Sequence, residues 1–243
     1  MVERTSLFFS YTLWVPYYIN NHIYIHRCRR NDLTFICGDY FGLGRSSGKF
    51  EDGSVSRWAS DTIALMEAVL TGNSEKTVLV GHGVGAWISF VVAQKRPDLV
   101  AGIVGMAADP DFTEELLWKK LPEDVKNRIM TDGVAEIEWG DAKYPISRNL
   151  IEDGKQNLLL GDSIPVYCPV RLIHSITDEE VPFELALKLV NNCMGNDASL
   201  TLLKGSFHSM EAERDTNTMR SKIIEVIEAY TDGGYDLRSP GSG

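Results

Sequence analysis

Short apolar runs alternate with longer segments of helical length through the first half of the chain. Runs at 33–37, 77–80 and 99–107 are bounded by glycine, proline or polar residues and predict buried strands. Between them, residues 54–70 place apolar side chains at helical spacing behind two candidate capping serines, and residues 84–95 form an apolar segment that stops before a proline. The order strand, helix, strand, helix, strand predicts an α/β fold with a mostly parallel sheet and right-handed crossovers.

The alternation stops between residues 109 and 165. This stretch is acidic and contains helical patterns at 114–121 and 123–130. It is too long for a plain loop in a compact domain and predicts a cap inserted over the edge of the sheet. The alternation then resumes, with predicted strands at 168–175 and 200–204 and predicted helices at 182–194 and 217–231.

The two ends of the chain differ from the rest. Residues 1–30 are rich in aromatic side chains, contain no glycine, and are too often interrupted by polar residues for a membrane span. They also lack the regions of a secretory signal. This segment is either one or two buried strands or an atypical N-terminus with incomplete strands. Residues 31–232 are expected to form one domain, and residues 233–243 a flexible tail.

Composition narrows the classes of function. The chain has 243 residues, 44% of them hydrophobic and 24% charged, as in one ordinary globular domain. A net charge of −10 argues against nucleic acid and against anionic membrane surfaces as partners. The four cysteines lack metal-binding spacing, so free thiols in a reducing compartment and no metal are expected: Cys28, Cys37, Cys168 and Cys193.

The glycine-rich turn at 81–86 carries the first candidate chemistry. Its sequence G-H-G-V-G-A fits the dinucleotide fingerprint G-x-G-x-x-G/A. It also fits the nucleophile elbow G-x-S-x-G, except that Gly83 stands where the serine belongs. A literal G-x-S-x-G occurs earlier, around Ser46, but a loop rather than a helix follows it, so Ser46 is not expected to be a nucleophile.

Two later loops follow predicted parallel strands and offer Asp178 and His208. Elbow, acid and histidine occur in the chain order of α/β-hydrolase triads. In that chemistry, His208 would be the general base, and Asp178 would orient it and stabilise the imidazolium. The backbone N–H of Val84, at the start of the helix, would face the oxyanion.

Several longer motifs strengthen this interpretation. The chain from about residue 31 to residue 230 resembles α/β-hydrolases of the mitochondrial palmitoyl-protein thioesterase group, whose members also cleave acyl glucuronides. The matching segments are D-Y-F-G-L-G-R-S-S-G-K-F, L-V-G-H-G-V-G-A-W, L-P-E-D-V-K, I-P-V-Y-C-P-V-R-L-I-H-S-I-T-D-E-E-V-P-F and F-H-S-M.

The resemblance implies an α/β-hydrolase fold and release of fatty acyl groups from cysteine thioesters or from esters. S-acylated proteins would be among the substrates, the location would be mitochondrial with the cytoplasm as the alternative, and no cofactor would be needed. It assigns the acid to Asp178, the base to His208 and the nucleophile position to Gly83.

Two departures from the family pattern affect the expected activity. Gly83 has no hydroxyl, and loss of the triad serine costs on the order of 10⁶ in kcat. The glycine-containing oxyanion loop of the family has no clear counterpart in residues 1–30, where residues 15–18 are a candidate remnant. The chain is therefore expected to be inactive or strongly impaired as a hydrolase.

Three alternatives stay open. The first is a non-catalytic protein that binds acyl groups, and the second is slow hydrolysis by a water molecule that His208 and Asp178 activate. The third is a dinucleotide-binding oxidoreductase in which Asp109 binds the ribose. This last alternative leaves Asp178 and His208 without a role.

Overall fold

The structure is a computed structural model that describes residues 6–10, 34–70, 76–139 and 142–233. Predictions for residues 1–5 and 11–33, including the candidate oxyanion remnant and Cys28, lie outside these ranges. So does the expected tail beyond residue 233, since the last helix includes Gly233.

A six-stranded sheet forms the centre of the described structure, and all of its pairings are parallel in the order β2-β1-β3-β4-β7-β8. The predicted α/β fold with a parallel sheet is confirmed. The strands are β1 Ser6–Ser10, β2 Thr34–Cys37, β3 Thr77–His82, β4 Val100–Met106, β7 Val170–Ser175 and β8 Ala198–Leu203.

Helices pack on both faces of this sheet. The α-helices of the described structure are α1 Val55–Val69, α2 Val84–Lys95, α3 Glu123–Asp132, α4 Arg148–Gln156, α5 Phe183–Asn192 and α6 Glu213–Gly233, of which α3 and α4 belong to the insert described below. Alternate residues of β3 face opposite sides: Leu79 packs into the core that contains α1 and α2, whereas Val78 packs against α6. All six residues of β3 and all seven of β4 are buried, which explains their continuous apolar sequences.

Helix α1 shows how local sequence sets an element's start. Ser54 is its N-cap, and the serine side chain accepts a hydrogen bond from the Arg57 N–H. Trp58 and Met66 of the expected apolar face are buried. Outside the insert, the other predicted strands and helices agree with the observed bounds to within a few residues.

Strand β1 comes from the segment that the sequence left ambiguous. Ser6–Ser10 pairs in parallel with β2 on one side and with β3 on the other. The N-terminal segment therefore supplies a central strand next to the glycine turn. A five-residue strand followed by aromatic and polar residues gives no periodic signal strong enough to place it.

The insert between β4 and β7 contains more structure than its sequence indicated. Thr113–Leu117 is a π-helical turn and Trp118–Lys120 a 3₁₀ turn, where one helix was predicted. An antiparallel hairpin, β5 Val134–Trp139 with β6 Ala142–Ser147, and helix α4 follow α3 and were missed. Buried residues alternate with exposed glutamates along β5, which is the period of two that identifies a strand.

Hydrogen bonds hold the two ends of the insert to each other and join the insert to helix α2. The Asp111 carboxylate accepts the backbone N–H groups of Leu159 and Leu160 at 2.7 and 2.9 Å. The Trp87 indole of α2 donates to the Asn157 carbonyl at 3.0 Å. Both ends of the insert are thereby fixed. That it covers the site described below stays a prediction.

Candidate active site

The turn from β3 to α2 is made by Gly83, which has φ +55° and ψ −122°. Such a backbone conformation costs other residues roughly 1–3 kcal/mol. Gly81 is required for a different reason, because a Cβ there would collide with the carbonyl group of Gly85 in the first turn of α2. The strand therefore turns sharply into the helix, with Gly83 at the tip.

Asp178 and His208 lie on the loops after β7 and β8, and they are in direct contact. Nδ1 of His208 donates a hydrogen bond to Oδ2 of Asp178 at 2.9 Å. The Asp178 side chain is fully buried, and the His208 side chain is 13% exposed. The other carboxylate oxygen accepts the backbone N–H groups of Glu180 and Val181, each at 2.9 Å. The loops that carry the predicted acid and base are thus brought together.

The charges in this pair follow from its contacts. Burial alone would raise the pKa of Asp178, but hydrogen bonds from His174, His208 and the Val181 N–H outweigh it and hold that pKa well below the ordinary value. Burial tends to lower the pKa of His208, but the contact with Asp178 outweighs this and raises it above the ordinary value of 6.5. The carboxylate is therefore ionised, and it favours a protonated imidazole.

Side-chain hydroxyls join the acid loop to the histidine loop. Ser175 Oγ donates to the Ser206 carbonyl at 2.7 Å, and Thr177 Oγ1 accepts the Gly205 N–H at 3.3 Å. Ser206 Oγ in turn donates to the buried Asp215 of α6 at 2.7 Å. Because these bonds tie the two loops to each other and to a helix, His208 is held by more than its contact with Asp178.

His82, the residue before Gly83, connects the glycine turn to His208. Its Nε2–H donates to the His208 carbonyl at 2.8 Å, and the two rings contact edge to face with centroids 5.1 Å apart. Burial, aided by the nearby His208, lowers the pKa of His82 to about 4. His82 is therefore neutral at ordinary pH, and it fixes the position of the histidine relative to Gly83.

The chain is similar to known proteins in sequence and in fold. A family profile described as the alpha/beta hydrolase fold matches residues 13–131. A putative hydrolase from Agrobacterium vitis superposes with a TM-score of 0.83 at 28% identity, covering 93% of this chain and 88% of the other. Alpha/beta hydrolase domain-containing protein 10 from mouse superposes with a TM-score of 0.80 at 26% identity, covering 92% and 89%.

The chain has the α/β-hydrolase fold.

A curated relative of this α/β hydrolase is the mitochondrial palmitoyl-protein thioesterase ABHD10 of Bos taurus. It is 29% identical over 204 residues, which are 83% of this chain and 65% of the bovine protein. The chain thus spans just under two thirds of that relative's length. The name describes the bovine protein as a thioesterase that acts on palmitoyl-proteins and as mitochondrial, and it identifies the same group that the sequence motifs resemble.

Asp109 is a further acid beside the candidate site, and the sequence did not assign it to hydrolysis. It follows β4, is 6% exposed, and interacts electrostatically with His208. Burial raises its pKa well above the ordinary value. A ribose-binding acid should be ionised and open to a ligand, so this position does not favour the dinucleotide interpretation. Its place at the carboxyl end of the strand beside the elbow strand was the signal that could have found it.

The other predicted site residues are the two oxyanion donors and the excluded nucleophile Ser46. Val84 is the first residue of α2, so its backbone N–H has no acceptor within the helix and is available to an oxyanion. The candidate for a second donor, at residues 15–18, lies outside the described residues. Ser46 lies in an exposed turn, where its Oγ donates to the Asp39 carbonyl at 2.6 Å. No helix begins directly behind Ser46, as the sequence indicated.

Within the part of the chain that the structure describes, no group of three or more His, Cys, Asp or Glu side chains is arranged to hold a metal ion. No helix in the same ranges is long and apolar enough to span a bilayer. Cys168 and Cys193 are free thiols, and burial raises the pKa of both to about 12.

Proposed function

We propose that this α/β hydrolase takes acyl thioesters or esters as substrates, S-acylated proteins among them, and hydrolyses them weakly or not at all because Gly83 replaces the nucleophilic serine. The observation that carries the proposal is the Asp178–His208 pair held against a glycine elbow tip. The substrate class is taken from the name of the thioesterase relatives, and the match covers 65% of the bovine protein.

The proposed roles follow from the contacts. His208 removes a proton from a nucleophile and returns it to the leaving group, while Asp178 fixes the tautomer and stabilises the imidazolium. The Val84 N–H donates to the negative oxygen that develops on the acyl carbon. Without a hydroxyl at position 83, no acyl-serine intermediate forms there. Serine loss in a triad leaves about 10³–10⁴-fold acceleration over water.

A second candidate function is binding of acyl groups without cleavage. The same glycine favours it, because binding needs the shape of the site and not its nucleophile. A thioether analogue of a long-chain acyl thioester measures binding alone, since it binds but cannot be cleaved. We expect the parent chain and Gly83→Ser to bind it with equal Kd, measured by calorimetry. If the parent binds the analogue and does not hydrolyse the corresponding thioester, it is the non-catalytic protein.

The central experiment is hydrolysis of a long-chain acyl thioester by the parent chain and by Gly83→Ser. Because the base and acid are already in contact, we expect the serine variant to gain at least roughly 10³-fold in kcat. Gly161→Ser is the matched control, since a Cβ at this exposed glycine meets no atom within 4 Å. Equal rates for the parent and Gly83→Ser would contradict the proposed function.

We also propose a mitochondrial location, because the curated relatives are named as mitochondrial proteins. The test is fractionation of cells that express the full-length natural protein with a C-terminal tag. Recovery with a matrix marker is expected. Recovery in the cytosolic fraction would favour the alternative location.

A further inference from the structure

Asp109 occupies a position that the triad roles leave unexplained. In the register of β3 and β4, His82 pairs with Met106, so the residues after β4 lie beside the elbow. The Gly83 N–H donates to the Met106 carbonyl at 2.9 Å, and the Asp109 N–H approaches the Gly83 carbonyl at 3.4 Å. The backbone of Asp109 is thereby held against the tip of the turn.

The Asp109 side chain is buried, and one of its oxygen atoms is unpaired. Among the described residues, its Oδ1 has no hydrogen-bond partner and no contact with solvent, although a hydrogen bond from the residue's own backbone acts on the carboxyl. Leaving a buried polar atom unpaired costs about 1–3 kcal/mol. The ionisable groups that act on this carboxyl are His208, Asp178 and Glu180, and the imidazole is the strongest of the three. A buried carboxyl oxygen without a partner beside a candidate base is expected to have a ligand in function.

One ring nitrogen of His208 is left for proton transfer. Its Nδ1 is occupied by Asp178, so Nε2 is the atom available. His82 holds the backbone of His208 next to the elbow, because His82 directly precedes Gly83. The backbones of Asp109 and His208 are therefore both held beside the turn, and the Asp109 carboxyl interacts electrostatically with His208.

We propose that Asp109 and His208 hold a water molecule over Gly83, and that this water attacks the acyl carbonyl directly. This inference rests on the proposed function, because it requires the same acyl substrate in the same site. It assigns Asp109 as a catalytic residue that touches the nucleophile. Gly83 contributes by bringing no side chain to the position where the nucleophile acts.

The reaction balances without any further reactant. Water gives one proton to Nε2 of His208 while the water oxygen forms a bond to the acyl carbon. The π electron pair of the carbonyl moves onto the carbonyl oxygen, and the Asp109 carboxyl accepts a hydrogen bond from the second O–H of the water. The intermediate then breaks the bond between the acyl carbon and sulfur, and the electron pair leaves on sulfur. His208 returns its proton to the thiolate. One thioester and one water give one carboxylic acid and one thiol, and Asp109 ends in the protonation state in which it began.

The test measures hydrolysis of a chromogenic short-chain acyl thioester by the parent chain, Asp109→Leu, Asp109→Asn and His208→Ala. We expect the parent to exceed His208→Ala, and Asp109→Leu to lower kcat roughly 10–100-fold with little change in KM. Asn keeps an oxygen that accepts from water, so Asp109→Asn should retain most of the rate. Asp61→Leu, the same substitution on the surface of α1, is the matched control.

Intact-mass spectrometry during turnover gives an independent readout. The parent should carry no acyl adduct, whereas Gly83→Ser should accumulate one. A parent no faster than His208→Ala, an unchanged rate in Asp109→Leu, or an acyl adduct on the parent would each overturn the water route. If Gly83→Ser is active and the parent is not, the proposed function stands and only this inference fails. Thermal melting checks that Asp109→Leu is folded.

Discussion

The two halves of the candidate site differ in how completely they are built. The acid–base half, Asp178 and His208 with their loops, is buried and supported by hydrogen bonds from main chain, hydroxyls and His82. The nucleophile half is the turn at Gly83, which keeps the elbow backbone and lacks the hydroxyl. The acid–base half has the side chains that catalysis needs, whereas the nucleophile half has only the backbone turn.

The difference has an energetic meaning. Burying the Asp178 carboxylate is costly, and the cost is offset only because several donors surround it. The turn at Gly83 is easier to maintain, since glycine adopts a positive φ without the strain that serine would bear. A chain that keeps the costly half still places the proposed base at the candidate site. This favours a function that uses His208, whether with water or with a bound acyl group.

The largest effect should come from breaking the acid–base half after the other half is restored. In Gly83→Ser, the further change His208→Ala should lower kcat roughly 10⁴–10⁶-fold, because serine and histidine act as one unit. Steady-state thioester hydrolysis measures this effect. A loss below tenfold in a folded double variant would show that His208 is not the base.

A smaller effect concerns the nucleophile half alone. Gly83→Ser should lower the free energy of unfolding by roughly 1–3 kcal/mol, because serine must adopt φ +55° at the turn. Denaturant unfolding measures the difference against Gly161→Ser, whose backbone is not strained in this way. Equal stability of the two variants would mean that the elbow relaxes when serine is present.

The smallest effect is a pH midpoint. His208 must be neutral to act as base, and its contact with Asp178 raises its pKa. In Gly83→Ser, kcat/KM should therefore rise with pH through a midpoint above 6.5, the ordinary pKa of histidine. Asp178→Asn in the same background removes the negative charge, so its midpoint should be lower. An equal midpoint in Asp178→Asn would show that Asp178 does not raise the pKa of the group that acts as base.

The sequence predicted the parts of the site that depend on strand order. Asp178 and His208 follow two parallel strands, and the carboxyl ends of such strands meet at one edge of the sheet. The contact of His82 was not predicted, because it joins a side chain to a backbone carbonyl that no motif marks. Asp109 was assigned only to ribose binding, although its place after β4 was a signal for the hydrolase site as well. Strand β1 was left ambiguous and the hairpin of the insert was missed. Short strands are defined by their partners more than by their own periodicity.

The hydrogen bond from His82 to the His208 carbonyl has a mechanical consequence. It joins the end of β3 to a loop that follows β8, on the other side of two intervening strands. When thermal motion displaces the elbow, this link pulls the backbone of the base in the same direction. The separation between the turn and the imidazole then fluctuates less than either part does alone, so the spacing at the reaction centre is maintained by a brace rather than by overall rigidity.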